Sequence, residues 1–130
     1  MKCWWWGVVA LLGFSLAHPS SLAEGATGEL KFNLDQELPA ETPLEAWFEV
    51  KDLNDQPIQA KDCVCTLLVY KGQALASARP LVQMSLEKLE FVLTFPGEGQ
   101  YTVVLLGRPR PGTKLQVFKL SYFLNVLAVR

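Results

Sequence analysis

In the stretch LEAWFEVKD, Leu44, Ala46, Phe48 and Val50 alternate with Glu45, Trp47, Glu49 and Lys51. A period of two sends the two sets of side chains to opposite faces of an extended strand, whereas a helix groups residues at a period of 3.6. The same alternation recurs along the chain. Leu30, Phe32 and Leu34 alternate with Glu29, Lys31 and Asn33, and Leu89, Phe91, Leu93 and Phe95 with Glu90, Val92 and Thr94. The last run, 115 to 128, sets Phe118, Leu120, Tyr122, Leu124, Val126 and Ala128 against Lys119, Ser121 and Asn125. Two further runs read as strands: 100 to 106, and 63 to 70, which is apolar on both faces and suits a central strand covered on both sides. LVQMSL (81 to 86) is weaker, an edge strand or an irregular link, and KGQALASARP is read as the connection that leads to it.

Turn residues separate these runs. In LNDQPI, Asn54 and Asp55 tolerate turn backbone angles and Pro57 lacks the N–H that a ladder needs. FPGEGQY spaces Gly97, Gly99 and Tyr101 as in the tyrosine corner of Greek-key sandwiches, where the tyrosine hydroxyl bonds back to the upstream backbone. Six or seven strands and no amphipathic helix predict an all-β fold, an antiparallel β-sandwich of immunoglobulin-like Greek-key type, with a barrel as the alternative. The chain has 130 residues, half of them hydrophobic, and no internal repeat or linker, so one domain is expected.

The first residues obey a different logic. Lys2 is followed by an unbroken apolar run from Cys3 to Ala17, then His18-Pro19 and the small residues leading to Ala23. This is the pattern of a secretory signal peptide, and the run is shorter than the roughly 20 residues a membrane-spanning helix needs. Residues 1–23 are therefore expected to be a leader cut after Ala23, with 24–130 as the domain and a cut after Ala17 as the alternative. That places the protein in the periplasm or outside the cell, with no stable membrane insertion once the leader is removed. The alternative cut would leave His18 as the N-terminal residue, which can bind copper through its amino and imidazole nitrogens but needs a further nitrogen ligand. Without Lys2, 11 basic residues face 13 acidic ones, a net charge of about −2 that gives no general attraction to nucleic acid or anionic membranes.

The secreted start, FEVKDLNDQPI as strand, turn and strand, and FPGEGQYTVVL as late corner and strand resemble small secreted bacterial domains of the YtkA-like kind. The resemblance covers most of the chain past residue 23 and implies a β-sandwich. Some domains of that kind are linked to copper handling through His and Met ligands. Here 24–130 holds no histidine and one methionine, Met84, a departure from that ligand set.

Cys63 and Cys65 open the 63–70 run. In a regular strand residues i and i+2 share a face about 6.6 Å apart, so the pair is expected to act as small buried hydrophobes beside Leu67 and Val69. A disulfide between them calls for a bulge or kink. The functional alternative is two thiolates holding Cu(I), or exchanging with other thiols, as a small periplasmic copper-binding accessory protein would use them. No other cofactor is implied.

Catalytic readings have less to stand on. The one histidine lies at position 18, so no Ser/His or Cys/His nucleophile pair and no common zinc site is expected in the domain. Glu45 and Glu49 are spaced as on any solvated strand face, and no glycine-rich loop precedes a helix. No enzyme is expected. Candidate interface residues are Trp47, on the polar side of its strand, and the cations Arg108, Arg110 and Lys114 in the proline-stiffened loop GRPRPGTK. The expectation is a secreted or periplasmic, non-catalytic binding module whose partner is another envelope or secreted protein.

Overall fold

The computed structural model describes residues 20–34, 37–80 and 88–128. Among these residues nine strands follow in chain order: β1 Ser20–Glu24, β2 Ala26–Phe32, β3 Leu38–Pro39, β4 Leu44–Asp52, β5 Cys63–Lys71, β6 Ala74–Pro80, β7 Leu89–Leu93, β8 Gly99–Pro109 and β9 Phe118–Leu127. One short 3-10 turn, Ala60–Asp62, precedes β5. The run LVQMSL lies outside the described residues.

The strands form two sheets. The larger runs β1-β9-β8-β5-β6, with β3 also pairing β9 in parallel, and the smaller runs β2-β4-β7. The other pairings are antiparallel. The chain leaves the small sheet after β4, builds the β5-β6 hairpin and returns as β7, then crosses again to β8. This is the two-layer, sheet-swapping connectivity of an immunoglobulin-like sandwich.

Alternation decides which face of each strand meets the other layer. Ala46, Phe48 and Val50 of β4 and Phe91 and Leu93 of β7 pack against Leu67 and Val69 of β5, Val103 and Leu105 of β8, and Phe118, Leu120 and Tyr122 of β9. Phe48 stands at the centre, its ring 5.2 Å from Phe91 and 5.7 Å from Tyr122. Each fully buried large side chain of this kind contributes about 1.5 to 3 kcal/mol relative to exposure, which is why the alternating runs dominate the architecture.

Three of these strands were not among those expected. β3 has only two residues, and β6 was read as part of a connection because its side chains are exposed along its length and bury no face. β1 spans the stretch assigned to the end of the leader, so the expected boundary after Ala23 falls inside a strand. The turn after β4 is organised by Asp52, whose Oδ1 accepts the backbone N–H of Asn54 at 2.8 Å and of Gln56 at 3.0 Å. Among the described residues no helix is long and apolar enough to cross a membrane.

Candidate functional site

The two cysteines open β5 immediately after the 3-10 turn, paired in continuous register across from Pro109 and Gly107 of β8. Both face the core, 2% and 5% exposed, beside Leu67 and Val69. They are not free thiols. The structure joins Cys63 and Cys65 in a disulfide across a Cα–Cα distance of 5.4 Å, which corrects the expectation of two separate buried sulfhydryls. No bulge interrupts the β5–β8 register here; a strand pleated more tightly than the regular spacing of about 6.6 Å is sufficient. Sulfurs engaged in that bond supply no thiolate to Cu(I). Among the described residues no group of three or more His, Cys, Asp or Glu side chains is placed to hold a metal ion.

Tyr101 sits at the start of β8. Its hydroxyl donates to the carbonyl of Gly97 at 2.8 Å and accepts the Gly97 N–H at 3.2 Å. Its ring lies 4.7 Å from Phe95, and the Lys71 ammonium stands 5.6 Å from its centroid. Gly99, two residues before it, opens the strand. This constellation fixes the corner between β7 and β8.

Trp47 is half-buried on the outer face of the small sheet, opposite Lys31 of β2 and Glu90 of β7. Its Nε1–H donates to Glu49 at 3.1 Å, while the other Glu49 oxygen meets the Lys31 ammonium at 3.0 Å. The indole N–H, and then the Lys31 ammonium, hold the Glu49 carboxyl below its ordinary range; hydrogen bonding to Glu49 raises Lys31 in turn. The indole is thus pinned between two shallow depressions, one reaching Ser21 and Tyr122 and the other Pro57 and Gln59.

The basic loop does not present its three cations alike. Arg108 and Lys114 are exposed, but Arg110 is half-buried. The Arg110 N–H donates to the Asp62 carbonyl at 3.1 Å, its own carbonyl accepts from Thr113, and its Nε is buried without a hydrogen-bond partner. The loop is therefore tied to the 3-10 turn before Cys63, at the same end of the molecule as the disulfide. Trp47 lies on the other sheet, so these candidates do not converge on one site.

A different surface was missed. The outer side chains of β5, read as covered on both sides, have no described element over them. Register places Leu68, Val104 and Ser121 in one row, with Leu22 of β1 at its end. Tyr70, Thr102 and Phe123 form the row on one side of it, and Thr66, Leu106 and Lys119 the row on the other. Leu68, Tyr70, Thr102, Val104, Leu106 and Phe123 line a shallow groove along this face. Phe123 is 41% exposed and Leu22 64%. One charged side chain, Lys119, lines the groove beside Leu106, and Glu24 and Arg108 lie farther out on the same face. The two-sided apolar pattern of 63–70 carried the signal, because an uncovered apolar face and a doubly buried strand read alike in sequence.

No family model matches the chain, and no curated protein matches it. Among solved structures the chain is similar to a CARDB domain from Pyrococcus furiosus, solved in complex with di-metal ions. The identity is 16%, the match covers 86% of this chain and 96% of that chain, and the TM-score is 0.38.

Proposed function

We propose that the protein is a secreted or periplasmic, non-catalytic β-sandwich module that binds another envelope or secreted protein through the outer face of its larger sheet. The observation that carries this reading is the largely apolar groove over β5, β8 and β9, with Phe123 and Leu106 on it and Lys119 the one charged side chain in its lining. Contiguous apolar surface of this kind, bordered by polar residues, marks protein contact sites. The partner it suits presents apolar side chains at the centre and charges of either sign at the edge.

A photo-crosslinker placed at Leu106 in the exported protein tests the reading. A discrete adduct with an envelope protein is expected, lost when Phe123→Glu is added and kept when Lys51→Glu alters the opposite sheet. No adduct, or one indifferent to Phe123→Glu, would sink the proposal.

A further inference from the structure

The leader contains the triplet Ser-Leu-Ala twice, as Ser15-Leu16-Ala17 and again as Ser21-Leu22-Ala23. Both offer small residues at the two positions a signal peptidase reads, so the sequence alone leaves two cuts open. They give different molecules. A cut after Ala23 removes all of β1 except Glu24; a cut after Ala17 leaves the strand whole.

We infer that the mature chain begins at His18 and that β1 is part of the finished domain. This rests on the reading of the protein as exported. Ser20 to Glu24 pair without interruption with Phe123 to Lys119 of β9. Removing them would leave that length of β9 as an open edge, its backbone donors and acceptors unpaired beside the exposed Phe123, which is the template for unwanted strand pairing.

Gly25 supplies a second, independent argument. It is the single residue between β1 in the larger sheet and β2 in the smaller, with φ of +78°. A Cβ there would collide with the carbonyl oxygen of Val117 and crowd Phe118, so the crossing is open only to glycine. Such a crossing serves to carry the preceding residues onto β9. In a chain that started at Glu24 it would carry a single residue, and neither the left-handed turn nor the close approach to Val117 would have a strand to deliver.

The test expresses the full chain with its own leader and determines the N-terminus of the exported form by intact mass and terminal sequencing. A start at His18 is expected. Ala23→Tyr should leave that start unchanged, whereas Ala17→Tyr should slow processing and shift the start to Glu24, yielding a product with a lower thermal midpoint and concentration-dependent association. A wild-type start at Glu24 overturns the inference and leaves the export reading standing. An uncut Met1 overturns both. A Glu24-start product from Ala17→Tyr that matches wild type in midpoint and stays monomeric also overturns the inference, because β1 would then add nothing to the domain.

Discussion

Glu49 sits between a donor and a cation, and its protonation state governs both contacts. Because its carboxyl is held below the ordinary range by the Trp47 indole and then by Lys31, its contribution is present above the ordinary carboxylate value and is lost as pH falls through the lowered one. Trp47 is the sole tryptophan beyond residue 6; the others are Trp4, Trp5 and Trp6. Its fluorescence in a chain that begins at His18, the start proposed above, should therefore titrate at acid pH, and Glu49→Gln should abolish that transition; an unchanged titration would show that the indole responds to another group. Gly107 matters for space. It pairs with Phe118 across β8 and β9, and the phenyl ring occupies the position its Cβ would take. Gly107→Ala should cost about 1 to 3 kcal/mol in denaturant unfolding, the usual penalty for forcing atoms into a filled core. A neutral result would mean that the ring swings aside freely.

Strands with a buried face were legible, and strands without one were not. β4, β7 and β9 announce themselves by alternation because each sends every second side chain into the core. β6 contributes backbone hydrogen bonds to β5 while its side chains stay exposed, and hydrogen bonding leaves no mark on hydropathy. β1 was hidden for another reason: its small residues fit a cleavage motif as well as a strand. The disulfide could not be read from Cys-x-Cys, since the choice between bonded and separate sulfurs depends on how tightly the strand is pleated after the 3-10 turn. Its thermodynamic weight should be modest. Chain-entropy reasoning for a loop of three residues gives about 1.6 kcal/mol, at the low end for disulfides. Intact mass should show the protein lighter than its reduced form by the two thiol hydrogens. Reduction should lower stability by no more than about 2 kcal/mol while leaving the fold in place; complete unfolding on reduction would contradict this assignment.

At the scale of the whole molecule, Tyr122 links the layers. It lies on β9, its ring packs 5.7 Å from Phe48 of β4, and its hydroxyl donates to the Gly28 carbonyl of β2 at 2.8 Å. Burial first, and the nearby Glu29 carboxylate second, push its ionisation from 10.0 up to about 12. The native state thus holds this proton more tightly than the unfolded chain, so stability is unaffected by it below pH 10 and falls as pH rises from there toward about 12. Unfolding midpoints taken across that window should drop more steeply for wild type than for Tyr122→Phe; parallel curves would show that the hydroxyl is wet. The pairing of β9 has a mechanical side as well. β1 runs antiparallel to it and β3 parallel. A pull that separates the two chain ends loads β1 one rung at a time, as a zipper opens, but drags β3 lengthwise against Val126 and Leu127, so that its rungs bear the load together. If the module is a tether between envelope components, its first strand should yield at low force and pay out slack, while the short β3 pair, in shear, sets the force at which the sandwich comes apart.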